Sequence, residues 1–132
     1  MRGTFVKTLM GMMERDKNIM VVTADMGFNT FEPLRDRFPE RFINVGVSEA
    51  DAVGISAGLA LSGYTVFLYA QASFITLRCF EQIRLDIASN NLNVKIVGTS
   101  SGFTLNQYGI SHFALEEVAA MRSLPNMTVM CP

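Results

Sequence analysis

The sequence has few of the residues from which disulfide frameworks, metal clusters or nucleic-acid surfaces are built. It contains two cysteines, Cys79 and Cys131, and a single histidine, His112. Two cysteines so far apart form neither a disulfide framework nor a metal cluster, which fits a reducing cytoplasm. The 11 basic and 12 acidic residues nearly cancel, so the charge indicates neither nucleic acid nor an acidic membrane surface as a partner.

Targeting and membrane signals are equally sparse. No uninterrupted apolar segment precedes Glu14 and Arg15, so the start does not read as a signal peptide. Residues 52–77 carry no charge and are long enough to span a bilayer. Polar residues interrupt them, and the pair Ser62-Gly63 is typical of a helix end. We interpret the segment as a buried helix followed by a buried strand.

Helical and extended patterns alternate along all 132 residues, of which 49% are hydrophobic. Helices are predicted at 4–15, 31–38, 49–62, 74–88 and 114–121. Strands are predicted at 19–24, 42–47, 65–69, 94–97 and 127–130. This alternation predicts the α/β class, with an open, parallel, doubly wound sheet and helices on both faces. We expect one domain over 1–132, truncated or dependent on a partner, because no helix follows the last predicted strand.

The carboxyl ends of the predicted strands supply the candidate site, because ligands of open α/β sheets bind there. The polar residues at these ends are Asp25, Ser48, Glu49, Gln71, Ser73 and, in the loop 100–112, Gln107, Tyr108 and His112. An aspartate, a glutamate and the imidazole therefore meet at one edge. Any α/β domain places some polar residues there, so the pattern alone indicates a ligand-binding domain of unknown chemistry.

Glu49 has two interpretations. Ser48 is a good N-cap, with Asp51 three residues on in a box-like position, and Glu49 would then be a first-turn acid that complements the helix dipole. Beyond Asp51, however, the helix has no charge, so we expect it to be buried almost all round. A carboxyl in such surroundings needs a hydrogen-bonding partner, such as a ring nitrogen.

The other candidates also have plain structural interpretations. His112 would be a loop residue beside the last helix, with Ser111 as the N-cap, and Asp25 would form an Asx-turn before Gly27. Ser101 belongs to a Ser-Ser-Gly stretch that could cradle an anion. The sequence has no Gly-x-Gly-x-x-Gly, His-Glu-x-x-His or nucleophile-elbow motif.

Several segments closely resemble the pyrimidine-binding domain of the transketolase family. The longest is Val-Gly-Val-Ser-Glu-Ala-Asp-Ala-Val-Gly-Ile-Ser-Ala-Gly-Leu-Ala at 45–60, which contains Glu49. Others are Ala-Asp-Met-Gly at 24–27, Phe-Glu-Gln-Ile-Arg at 80–84, Ser-His-Phe-Ala-Leu-Glu-Glu at 111–117 and Met-Arg-Ser-Leu-Pro-Asn-Met at 121–127. They occur in family order over essentially the whole chain.

The resemblance implies a transferase that moves two-carbon ketol units between sugar phosphates with thiamine diphosphate. In the family, a glutamate matching Glu49 hydrogen-bonds N1′ of the cofactor's aminopyrimidine ring and favours the tautomer that activates it. Asp25 and Met26 match positions beside the thiazolium, Phe74 matches an aromatic residue of the pyrimidine pocket, and His112 matches a histidine that faces the sugar. The protein sets tautomer and orientation, while the cofactor carries the carbanion chemistry.

Several positions depart from the family pattern, including Ser48, where Arg or Ala is common, and Ala50, where His is frequent. Gln107 and Tyr108 replace an acidic pair whose aspartate contacts a substrate hydroxyl, so the substrate is expected to differ from the usual ketose phosphates. Gln71 stands where an aromatic residue is common. The sequence also lacks the Gly-Asp-Gly signature that binds the diphosphate and Mg²⁺. The resemblance places that signature on a partner domain or subunit, so the chain alone is expected to be inactive and to bind no metal.

The family also implies a homo-oligomer, a dimer, and the uncharged helix after Glu49 is the expected contact. Alternative functions within the fold are a 1-deoxyxylulose-5-phosphate synthase and the β-subunit of a 2-oxo acid dehydrogenase. A non-catalytic assembly subunit is the alternative from another class. Gln107 and Tyr108 favour the assembly role, whereas an intact Glu49 argues against it.

Overall fold

The computed structural model describes residues 1–132 and contains one parallel sheet of four strands in the order β2-β1-β3-β4. The strands are β1 (Ile19–Thr23), β2 (Phe42–Asn44), β3 (Thr65–Gln71) and β4 (Val94–Thr99). The helices are α1 (Arg2–Arg15), α2 (Glu32–Arg37), α3 (Glu49–Leu61), α4 (Phe80–Gln82) and α5 (Glu117–Arg122). The predicted class and the parallel, doubly wound sheet are confirmed.

The predicted helix at 74–88 is helical throughout but not uniformly α-helical. Two π-helical turns, Phe74–Arg78 and Ile83–Ala88, flank the short α4. Ile83 and Ile87 are buried, as the apolar stripe predicts. π-Helical turns inside a helix are uncommon and often lie at functional sites.

The sheet separates two apolar cores, one on each face. Along β1, Met20 and Val22 belong to the core beneath α3, whereas Ile19 and Val21 belong to the core beneath α1. Successive side chains of a strand point to opposite faces, so both sides of β1 are covered. This explains why β1 is a continuous apolar run rather than an alternating one.

The uncharged segment 52–77 forms most of α3, all of β3 and all but the last residue of the first π-helical turn. This confirms a helix followed by a strand. No helix in the chain combines the length and the apolar character that crossing a bilayer requires.

α3 is less buried than its composition suggests. Its inner face consists of Glu49, Ala52, Val53, Ser56 and Ala57. Its outer face exposes Ala50, Gly54, Gly58 and Leu61. The expectation of burial almost all round is therefore wrong, because small residues without charge can also face solvent. Leu61 is 71% exposed.

Ser48 precedes α3 as predicted, but its side chain makes no capping hydrogen bond. Its backbone N–H donates to the carbonyl of Gly46 at 2.8 Å. Because the hydroxyl caps no first-turn amide, the predicted capping box with Asp51 is wrong.

The predicted fifth strand at 127–130 is also wrong, and β2 ends at Asn44 rather than at residue 47. Met127 and Val129 pack partly against the core beneath α3. The alternating apolar pattern therefore produces side-chain packing. A strand also needs backbone hydrogen bonds to a neighbouring strand, and β4 is the edge strand of this sheet.

The turn after β1 depends on Gly27, which has φ +92°; a Cβ there would lie 2.2 Å from the ring of buried Phe31. We expect Gly27→Ala to lower the free energy of unfolding by about 2–4 kcal/mol, because steric overlap adds to the left-handed backbone cost. Gly63→Ala is the matched control, since φ is +95° but no atom lies within 4 Å. It should cost about 1 kcal/mol. Urea unfolding of both variants measures the difference, and equal losses would contradict this account.

Candidate functional site

The candidate site lies at the carboxyl edge of the sheet, where α3 begins. Glu49 is the first residue of α3, and its side chain is 3% exposed. A carboxylate held that far from water needs a charged or hydrogen-bonding partner. The structure supplies one from the first π-helical turn, at Arg78.

Arg78 was not among the residues predicted for the site. Its Nη1 donates to Oε2 of Glu49 at 2.6 Å, and this is the only side-chain hydrogen bond that Glu49 makes. The Arg78 side chain is 51% exposed, so the pair joins a buried anion to a cation at the surface. Charge-assisted contacts of this length are among the stronger hydrogen bonds in proteins.

Aromatic contacts extend this pair across the edge of the sheet. The guanidinium of Arg78 lies over the ring of Phe74, 4.5 Å from its centroid. His112 meets Phe74 edge-on at 5.1 Å between centroids, and Tyr108 lies 4.8 Å from His112. Glu49, Phe74 and His112, all predicted for the site, are therefore connected through direct contacts. We call Glu49, Arg78, Phe74, His112 and Tyr108 the edge cluster.

His112 is half-buried, and its Nδ1 is 2.9 Å from the hydroxyl of Ser111. Ser111 is not a helix cap, because α5 begins at Glu117 and a backbone bridge between Gly102 and Ala114 intervenes. The structural interpretation that made Ser111 an N-cap is therefore wrong. The imidazole is instead held between two aromatic rings, with Ser111 bonded to one nitrogen.

Asp25 and Met26 form a separate group in the turn after β1. Oδ1 of Asn44, the last residue of β2, accepts hydrogen bonds from the backbone N–H of Asp25 and of Gly46. Its Nδ2 donates to the Asp25 carboxylate at 3.1 Å. Asp25 is exposed and Met26 half-buried. The Asp25 carboxylate thus pairs with a side chain rather than with its own turn, and Asn44 is a positioning residue that the sequence patterns did not reveal.

Three other polar candidates do not join the edge cluster. Gln71 is buried, and its Nε2 lies 3.4 Å from the hydroxyl of Ser73. Gln107 is exposed. Ser101 donates to the buried carboxylate of Glu117, so its hydroxyl is engaged by an acid and is not part of an anion cradle.

Cys79 shows how strongly this region excludes water. The thiol is fully buried next to Arg78. Desolvation, reinforced by the negative charge of Glu49, raises the pKa of Cys79 to about 11, although Arg78 acts in the opposite direction. The thiol is therefore protonated at neutral pH and is not a nucleophile.

Comparison with known proteins shows which family this chain resembles. The family described as "Transketolase, pyrimidine binding domain" matches residues 1–132. The chain is 39% identical over 132 residues to an apulose-4-phosphate transketolase subunit of Phocaeicola vulgatus, covering 99% of this chain and 42% of that protein. It is 40% identical over 133 residues to "Putative transketolase C-terminal section" of Methanocaldococcus jannaschii, covering 100% and 42%. The chain thus spans about two fifths of the length of these relatives.

The fold agrees with this assignment. A solved structure described as "Split gene transketolase, inactive beta4 tetramer" superimposes with a TM-score of 0.81 at 38% identity, covering 95% of this chain and 40% of that one. These relatives favour transketolase over the alternatives within the fold. The chain belongs to the transketolase pyrimidine-binding domain family.

Proposed function

We propose that this chain is the pyrimidine-binding part of an enzyme that transfers two-carbon ketol units between sugar phosphates with thiamine diphosphate. One observation carries the proposal: the carboxylate of Glu49, 3% exposed, stands at the start of α3 and is linked through Arg78 to Phe74, which contacts His112. The names of the relatives support a transketolase-type activity in carbohydrate metabolism. The chain spans about two fifths of the length of those relatives, and the proposed activity is that of this part together with its diphosphate-binding partner.

The residues at this edge fit the cofactor's aminopyrimidine ring. Glu49 bonds through Oε2 alone, so its second oxygen has no partner from this chain. Phe74 offers a half-buried ring to the guanidinium that Glu49 binds. We assign Glu49 and Phe74 to the pyrimidine, and Asp25 and Met26 to the neighbouring thiazolium. When bound, the cofactor supplies the centre that stabilises a carbanion.

Glu49 is the proposed catalytic residue of the cofactor's activation. Its carboxyl would hold a proton in a hydrogen bond at the ring nitrogen N1′. Burial strengthens this bond, because little water competes for the carboxyl group and the local dielectric is low. The helix of α3 fixes the carboxyl at its first residue, so orientation costs little at the moment of reaction.

His112 is the proposed residue on the substrate side. Packing between Phe74 and Tyr108 fixes the plane of its ring, and Ser111 engages Nδ1. Tyr108 is 60% exposed and, with Gln107, replaces the acidic pair whose aspartate contacts a substrate hydroxyl in the family. We infer that the substrate sugar is read there by stacking and a neutral hydrogen bond rather than by a carboxylate.

We assign the diphosphate and Mg²⁺ to a separate domain or subunit, because the Gly-Asp-Gly signature is missing from this sequence. We also propose a dimer, in which the outer face of α3 (Ala50, Gly54, Gly58 and Leu61) meets its counterpart. The unpaired thiols Cys79 and Cys131 favour the cytoplasm as the location.

Glu49→Ala tests the function directly in the full-length protein combined with its diphosphate-binding partner. We expect the rate of ketol transfer to fall by about 10²-fold or more, because the variant cannot hold a proton at the ring nitrogen. Asp51→Ala is the matched control, since Asp51 is an exposed acid in the same first turn of α3. It should keep its rate. Full activity of Glu49→Ala would remove Glu49 from the mechanism.

Gly58→Lys tests self-association through the outer face of α3. A lysine there would bring like charges together across a symmetric contact. We therefore expect the dissociation constant of the dimer to rise by about tenfold or more. Gly3→Lys is the control, because Gly3 is also an exposed helical glycine with open space around it. Sedimentation velocity reads out both. A monomer at high concentration in the unsubstituted protein would refute this contact.

A further inference from the structure

The guanidinium of Arg78 contacts the two residues that we assign to the pyrimidine ring. It donates a hydrogen bond to Glu49 at 2.6 Å and lies 4.5 Å above the ring of Phe74. No other basic side chain in the chain forms an ion pair with Glu49, and the remaining ion pairs lie at Asp36 and Glu14. The Glu49 carboxylate is therefore neutralised by Arg78 alone, and the same guanidinium also lies over the ring of Phe74.

A guanidinium and a protonated aminopyrimidine present similar chemistry. Both are planar, both carry a delocalised positive charge, and both offer N–H donors in the plane of the group. Each can donate to a carboxylate with its edge while it stacks on an aromatic ring with its face. Arg78 thus makes with Glu49 and Phe74 the pair of contacts that the ring would make.

We propose that Arg78 is an internal occupant of the pyrimidine site and that cofactor binding displaces it. This inference rests on the proposed function, because it takes Glu49 and Phe74 as the ligands of the ring. In the free protein Arg78 stabilises a carboxylate that would otherwise be buried without a partner. On binding, the protonated aminopyrimidine replaces the Arg78 guanidinium, so the buried carboxylate of Glu49 keeps a positively charged partner throughout.

The position of Arg78 makes such an exchange feasible. Its side chain is 51% exposed, whereas that of Glu49 is 3% exposed, so the guanidinium can leave for solvent along its own flexible stem. Arg78 is also the last residue of the first π-helical turn, just before the irregular backbone of Cys79 and the start of α4. Release therefore needs no rearrangement of the core.

Arg78→Met tests the proposal by removing the competing cation and keeping the apolar stem. In the full-length protein with its partner and Mg²⁺, we expect the Kd for thiamine diphosphate, measured by calorimetry, to fall by about tenfold, or about 1.4 kcal/mol. The melting temperature of the cofactor-free protein should fall, because Glu49 loses its partner. Arg78→Lys, which keeps the charge without the plane, should give intermediate values of both.

Arg84→Met is the matched control, because Arg84 is exposed on the following turns and has no ion-pair partner. It should leave Kd unchanged. A weaker or unchanged affinity in Arg78→Met would overturn the proposal, since it would show that Arg78 supports the bound ring or lies outside its site. Loss of activity in Glu49→Ala alongside that result would leave the proposed function standing.

A second measurement avoids substitution and decides the matter if Arg78→Met fails to fold. In the unsubstituted protein, the Nη–H resonances of Arg78, whose Nη1 donates to Glu49, can be followed by NMR as thiamine diphosphate is added. We expect their exchange with water to accelerate when the guanidinium is released. Slow exchange retained in the saturated complex would overturn the displacement. An unsubstituted complex that binds no thiamine diphosphate would instead refute the proposed function.

Discussion

The candidate site depends on one carboxylate that is removed from water where a helix begins at the edge of a parallel sheet. Glu49 would not be tolerated there without a partner, because an isolated buried charge is strongly destabilising. The fold supplies that partner from a different element, 29 residues along the chain. Around the Glu49 carboxylate, buried Cys79 and the inner face of α3 exclude water, whereas Arg78 reaches solvent. Such a setting strengthens a single polar contact, as the proposed activation of a heterocyclic ring requires.

The architecture explains why the site forms at this edge. In the strand order β2-β1-β3-β4 the chain crosses from β2 over β1 to β3, and α3 makes that connection. Crossovers of this kind bring the loops after neighbouring strands together at the carboxyl edge. The turn after β1 carries Asp25 and Met26, tied to β2 through Asn44. The residues that follow β3 carry Phe74 and Arg78. Each element thus contributes through its end, while its interior builds the two cores.

Much of this fold could be predicted because local sequence patterns determine most of its helices and strands. A fully apolar run predicted β1, and the uncharged segment 52–77 predicted α3 followed by β3. Met127 and Val129 show the limit, since their alternation led to packing without a strand partner. Of the residues in the edge cluster, Glu49, Phe74 and His112 could be proposed from sequence motifs. Arg78 and Asn44 could not, because their roles depend on partners distant in sequence. In the sequence, Arg78 has no feature that distinguishes it from other surface arginines. Only the fold shows that it pairs with the buried carboxylate of Glu49.

The central claim is that the Glu49 carboxyl group engages N1′ of the aminopyrimidine ring. NMR of the protein with ¹³C-labelled glutamate side chains, assembled with its partner, tests it most directly. We expect the Glu49 carboxyl resonance to shift on addition of thiamine diphosphate and to shift far less with an analogue that carries CH in place of N1′. The same shift with both compounds, or none with either, would contradict the account.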